Sequence, residues 1–301
     1  MAKITKERLT IANSPKRRPY AAHFSLVLEK TTKFQIGGEC TFLLDRDIVV
    51  RVKPTVEDPS SQDPQTWEVF IEGFSTAGQA ENEGLKIVLG FLWAAVKGHY
   101  AVRLSYKTPL PCEVYLRTER HGLRLSGQAT LVVTKGIGNI VAPVNDIAKS
   151  NTQIDSKLLL AMELFTSARL ETTERSKYLG LVSSLEPLAA QSKYENAQLE
   201  RLIRDAIATL DKIDIATEQK SSIKGRIESL RQESISSAIR NLVSNLLAGD
   251  TNAIETIEEA YRIRSKILHE GSTDADLTEK GQQVEEVVRR IIQKRIEIFS
   301  Q

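Results

Sequence analysis

Two side chains near the end of a predicted helix, Arg264 and His269, belong to types that bind phosphate and transfer protons. Steps of three and four residues from Ile257 to Leu268 place Arg264 on an apolar stripe of that helix. A guanidinium directed at an interface is costly unless an anion meets it there. His269 precedes the predicted cap Gly271, where the helix dipole favours the protonated imidazole. The pair could therefore combine fixed positive charge with a proton carrier.

The segment from Arg264 to His269 resembles the Arg-x(4–6)-His signature of the HEPN superfamily, and Arg262 starts the same motif with six intervening residues. The context is similar to that of the Apea-like HEPN branch. Three short segments resemble the opening helices of that branch and two resemble its later blocks: residues 161–168, 174–179, 184–188, 230–235 and 261–269. The resemblance covers roughly the last half of the chain.

This resemblance implies a metal-independent endoribonuclease, active as a homodimer and without a cofactor, in a toxin, antiviral-defence or RNA-processing system. RNA is then the expected partner. Arg264 and His269 are the expected catalytic residues. Glu186, in the apolar pattern of an earlier predicted helix, could orient Arg264 through a buried ion pair. The expected supporting residues are Tyr261, Arg262, Ser265 and Glu186.

The chemistry of RNA cleavage accounts for these residue types. Without a metal, the reaction needs a proton acceptor for the 2′-hydroxyl, a proton donor for the leaving 5′-oxygen and positive charge on the phosphorane. Five residues of helix separate Arg264 from His269 by about 140° around the axis, so the two do not share one face. A two-fold dimer that joins two such helix ends would surround one phosphate with both pairs.

Three other interpretations stay open. Many active members have Asn, Asp or His after the arginine, whereas this chain has Ser265, and negative charge predominates in residues 151–301. Both features favour a non-catalytic HEPN dimer that acts as an RNA or nucleotide scaffold or sensor. Alternatively, the N-terminal half of the chain carries the function, and the helix bundle serves only for dimerisation. Finally, Arg264 could be a satisfied interface arginine and His269 a helix cap.

Composition limits the class of protein. The chain has 301 residues, a net charge of +2 and 41% hydrophobic residues, which is typical of one large or two medium globular domains. Cys40 and Cys112 make no disulfide framework and no zinc spacing, so no metal is expected. The first residues lack the apolar stretch of a signal peptide, which favours a cytoplasmic protein.

The first half of the sequence predicts an α+β domain at residues 1–148, with a role in targeting, sensing or restraint and a regulatory or antitoxin partner. One long helix, over Ser75 to Val96 with Ser75 or Thr76 as N-cap, is expected on a mixed sheet. The sequence from Pro143 to Thr152 is interpreted as a polar hinge. The predicted strands are residues 23–29, 47–53, 67–73, 100–106, 113–117 and 127–133.

The second half, residues 149–301, predicts an all-α, HEPN-like helix bundle through which the homodimer would form. Apolar residues recur there at three- and four-residue spacing. The fourth predicted helix is expected to break near Glu233-Ser234 and to stop at Gly249. The predicted helices contain residues 158–165, 178–188, 199–210, 223–247, 251–269 and 277–299.

Overall fold

The computed structural model describes residues 18–29, 39–44, 48–54, 66–117, 138–149 and 153–299. Six strands in these residues form one sheet: β1 (Tyr20–Leu28), β2 (Cys40–Leu44), β3 (Ile48–Pro54), β4 (Thr66–Phe74), β5 (Val102–Ser105) and β6 (Glu113–Leu116). The strand order is β2–β3–β4–β1, and β5 and β6 both pair with the free edge of β1. All these pairings are antiparallel, so the described sheet is antiparallel rather than mixed.

Alternation along the strands separates an apolar face from a polar one. Phe24 and Leu26 of β1 are buried, while His23 and the intervening Ser25 are half-buried on the opposite face. On that opposite face Glu72 pairs with Arg51 and, at 2.8 Å, with Arg117. The polar face therefore neutralises much of its own charge.

Helix α1 (Ala77–Gly98) packs its apolar side against β1, β4 and β6. Thr76 Oγ1 accepts a hydrogen bond from Gln79 N at 3.2 Å, which satisfies one of the free amides of the first turn. The helix ends at His99, which adopts the left-handed conformation with φ 54°. The predicted helix, with Thr76 as its N-cap, is confirmed.

Helix α2 (Gly138–Lys149) occupies most of the segment expected to be a hinge, so that expectation is wrong. Ile140, Val144 and Ile147 are buried, and α2 packs on α1. Pro143 lies inside the helix, where it removes one backbone donor. Burial of three branched apolar side chains outweighs that loss.

We expect Gly90→Ala to destabilise the protein by about 1–3 kcal/mol, because α1 and α2 approach closely at Gly90. An added Cβ would lie 2.7 Å from the Cα of Val144, so one backbone must move. Gly78→Ala is the matched control, since its Cβ would meet nothing within 4 Å. Chemical denaturation should show this control unchanged or more stable by about 1 kcal/mol at most. Equal stability of the two variants would contradict the close approach.

The later described residues are helical, in agreement with the predicted bundle. The segment expected as one helix through Leu188 divides after Ser183 and continues as a short 3-10 helix, Glu186–Leu188. The expected break at Ser234 is present, since Ser234 caps the next helix. The helices are α3 (Ser156–Ala168), α4 (Glu174–Ser183), α5 (Ala197–Asp211), α6 (Thr217–Ser229), α7 (Ile235–Leu246), α8 (Thr251–Glu270) and α9 (Leu277–Phe299). Among the described helices, no segment is both long and apolar enough to traverse a lipid bilayer.

The chain divides into two compact units. The first runs to Ser184 and resumes at Leu277, while the second is Leu185–Asp276. In the first unit α3 packs on α1 and β5, and α9 packs on α4. The α+β class is confirmed, and the domain boundary expected after residue 148 stays a prediction.

Candidate functional site

Helix α8 positions most of the predicted site residues within the second unit. Asp250 caps its start by accepting a hydrogen bond from Ala253 N at 2.9 Å. Gly271 ends it in the left-handed conformation, with φ 75° and its N–H bonded to Ile267 O at 3.0 Å. The expected cap at Gly271 is confirmed. Both ends of α8 are therefore fixed by local hydrogen bonds.

The buried stripe of α8 is rotated by about one residue from the one expected. Ile263 and Ile267 are buried, whereas Leu268 is exposed. Arg264 consequently lies at the border of the apolar stripe rather than at its centre. At such a border a long side chain can pack its stem while its charged end remains accessible.

Arg264 is held between two side chains. Its Nη2 lies 2.7 Å from Glu186 Oε1, and its Cζ lies 5.3 Å from the ring centroid of Tyr261. The side chains of Arg264 and Glu186 are 20% and 32% exposed. Glu186 Oε1 has no well-aligned hydrogen bond, so the interaction is an ion pair with imperfect angles. The structure thus brings together three predicted site residues, Arg264, Glu186 and Tyr261.

Tyr261 is a neutral member of this group at physiological pH. Burial raises the pKa of its phenol, the Arg264 cation opposes that shift and Glu186 adds to it. The phenol therefore remains a hydrogen-bond donor, and its ring supports the guanidinium through a cation–π contact.

His269 is exposed in the last turn of α8, as expected. In the part of the chain that the structure describes, no hydrogen bond or ion pair restrains its imidazole. Five residues of helix place it about 7.5 Å along the axis from Arg264 and on another side. A single α8 therefore does not bring His269 and Arg264 together.

Arg262 and Ser265 lie apart from the Arg264 group. Arg262 is 78% exposed, and its Nη2 lies 4.0 Å from Glu259 Oε1. It borders an open groove of about 470 Å³ whose other walls are Glu255, Glu258 and Glu259. The three carboxylates make this groove unfavourable for a phosphate group. Arg262 is therefore less suited than Arg264 to bind phosphate. Ser265 is half-buried.

Two features near the site were not singled out from the sequence. Lys266 Nζ lies 3.1 Å from Asp274 Oδ2, one turn before His269. Glu233 is buried, and its side chain accepts hydrogen bonds from Ser192 N and Asn241 Nδ2, both at 2.8 Å. Long-range pairings of this kind leave no spacing signal in a single sequence.

Comparison with protein-family models, with curated proteins and with solved structures found no match to this chain. Among the described residues, no group of three or more His, Cys, Asp and Glu side chains is arranged to hold a metal ion.

Proposed function

We propose that the protein is a metal-independent, HEPN-type endoribonuclease that works as a homodimer, with Arg264 and His269 as its catalytic residues. The observation that carries this proposal is the state of the two side chains on α8. The cation is oriented by Glu186 and Tyr261, and the imidazole is exposed at a capped helix end.

Arg264 is suited to stabilise a phosphorane. A guanidinium carries fixed positive charge and five N–H donors in a planar fork that matches phosphate oxygens, and Glu186 holds that of Arg264 at one nitrogen. Its orientation is fixed before substrate arrives, which lowers the entropic cost of binding. Glu186 and Tyr261 therefore act as positioning residues.

His269 is suited to move the protons. It would accept the proton of the 2′-hydroxyl while the 2′-oxygen attacks phosphorus, and the 5′-oxygen would leave with a proton from the second imidazole of the dimer. Because Arg264 and His269 diverge around α8, each copy supplies only part of a site. Two α8 ends related by a two-fold axis would complete it.

The test is cleavage of RNA by the purified protein in excess EDTA, followed by analysis of the product ends. We expect products with 2′,3′-cyclic phosphate and 5′-hydroxyl ends, because the nucleophile is the neighbouring 2′-oxygen. Substrate with a 2′-deoxy residue at the cleaved position should resist. Absence of cleavage, loss of cleavage in EDTA, or 5′-phosphate ends would contradict the proposal.

The Arg264–Glu186 ion pair also favours a second function, a non-catalytic RNA or nucleotide scaffold or sensor. A carboxylate 2.7 Å from the guanidinium neutralises part of the charge that a phosphorane would need. This function expects RNA binding without turnover, weakened in Arg264→Ala and unchanged in Arg201→Ala, whose side chain is exposed on α5. Turnover by the wild-type protein would exclude it.

The setting proposed for the nuclease is a defence or toxin-type system in the cytoplasm. Dimerisation would occur through the C-terminal helical bundle, and the sheet-containing part would target or restrain the nuclease, alone or with a regulatory or antitoxin partner. Growth arrest on expression that disappears with His269→Ala would support this setting.

A further inference from the structure

Lys266 lies on the same side of α8 as His269. Three residues of helix separate the two by about 60° around the axis and about 4.5 Å along it. Side chains at this spacing are neighbours on the surface of a helix. Arg264 differs, because it is about 140° away from His269 around the same axis. A phosphate that approaches His269 from solvent therefore meets Lys266 on the same copy of α8.

The other cations of α8 are less suited to this position. The helix contains three Lys or Arg residues, which are Arg262, Arg264 and Lys266. Arg262 is a further turn away from His269 and borders the acidic groove. Lys266 is therefore the cation that can reach a phosphate beside the imidazole without a contribution from the partner subunit.

The ammonium group of Lys266 contacts a carboxylate that can be displaced. Its Nζ lies 3.1 Å from Oδ2 of Asp274, in the connection between α8 and α9. The side chains of Lys266 and Asp274 are 40% and 100% exposed. An ion pair as exposed as this one contributes little to stability. A phosphate oxygen can take the place of the carboxylate oxygen, since each is an anionic acceptor of the same ammonium hydrogen bond.

We propose that Lys266 binds a phosphate of RNA beside His269, and that Asp274 occupies Lys266 until the RNA displaces it. The inference rests on the proposed function, because that function brings RNA to His269. Lys266 is then a substrate-binding residue of the site, and Asp274 lowers the affinity of the site by competing with phosphate. The contact is made with the sugar–phosphate backbone, so it is independent of the RNA sequence.

The experiment measures the affinity of the full-length protein for a single-stranded oligouridine RNA at several salt concentrations. Every protein carries His269→Ala, so that the RNA stays intact. Adding Lys266→Ala should weaken binding about tenfold at low salt, the effect of one charged hydrogen bond. The slope of log affinity against log salt should become shallower by about 0.7, because one phosphate contact is lost. Lys266→Arg should retain the slope, whereas a purely structural role of Lys266 would leave the slope unchanged in both variants.

Asp274→Asn tests the competition. It should strengthen binding about twofold to fivefold, because phosphate no longer has to displace a carboxylate from Lys266. In the Lys266→Ala background the same change should lose this effect, since its contact is with Lys266. The matched controls are Lys212→Ala and Asp214→Asn, at exposed residues that follow α5. Both should bind RNA as the His269→Ala protein does.

The outcomes separate this inference from the proposed nuclease activity. Equal affinity and equal salt slope with and without Lys266→Ala, or absence of RNA binding, would overturn the inference. Unchanged affinity in Asp274→Asn would overturn the competition. If the expected changes occur but the wild-type protein does not cleave RNA, the nuclease proposal fails while Lys266 remains a phosphate-binding residue. If the wild type cleaves RNA and Lys266→Ala has no effect on binding, only the present inference fails.

Discussion

Replacing His269 with alanine is expected to lower the rate of RNA cleavage by about a hundredfold to ten-thousandfold, the usual contribution of a general acid–base residue. The stability of the protein should not change, because His269 is exposed and the Gly271 cap bonds through backbone atoms. The measurement is the initial rate on a defined RNA at saturating concentration, with the unfolding temperature recorded for each protein. RNA affinity should fall much less than the rate.

The matched control is Arg201→Ala, which removes an exposed side chain from α5 in the same unit. It should cleave RNA at the wild-type rate. Arg264→Ala should lose both cleavage and affinity, since the guanidinium contributes charge as well as orientation. Equal rates for wild type and His269→Ala would eliminate the acid–base role of this imidazole.

Glu233→Ala should destabilise the second unit by about 3 kcal/mol, because two hydrogen bonds to a buried carboxylate are lost together. Ser192 N and Asn241 Nδ2 each lie 2.8 Å from its oxygens. The backbone oxygen of Glu233 also belongs to this cluster, because it accepts a hydrogen bond from Gln191 Nε2 at 2.7 Å. This cluster fixes the chain that follows the 3-10 helix bearing Glu186, and with it one side of the Arg264 group.

Chemical denaturation of Glu233→Ala and of Glu228→Ala separates this cluster from ordinary surface charge. Glu228 is exposed and pairs with Arg231 at 3.6 Å, so its removal should cost less than about 1 kcal/mol. If the two variants unfold at the same denaturant concentration, the Glu233 cluster does not stabilise the unit.

The sequence predicted elements well where burial alone determines them. Helices α1, α8 and α9 have long apolar patterns, and their bounds agree with the predicted ones within a few residues. Helices α1 and α8 also have capping residues that the sequence indicates. Strand β2 was not predicted, because Thr41 and Leu43 are exposed at the sheet edge and pairing with β3 stabilises it instead. Pairing between distant segments is not encoded in local spacing.

For the candidate site, local features were predictable and tertiary ones were only partly so. The place of His269 in the last turn of α8 could be predicted because Gly271 is a typical C-terminal cap of a helix. The proximity of Glu186 to Arg264 was expected from its place in an apolar pattern, and the ion pair is present. The one-residue rotation of the α8 stripe was not predictable, because Ile263, Ile267 and Leu268 are equally apolar and only packing distinguishes them.

The return of α9 to the first unit has a consequence for the order of events during synthesis. Domains generally fold from the N-terminus as they leave the ribosome. Here Ile291 and Ile292, which complete the first unit, are translated after the whole of Leu185–Asp276. The first unit therefore cannot complete its folding until α9 has been synthesised. Premature termination after residue 276 would leave that unit with an exposed apolar surface that chaperones and proteases recognise.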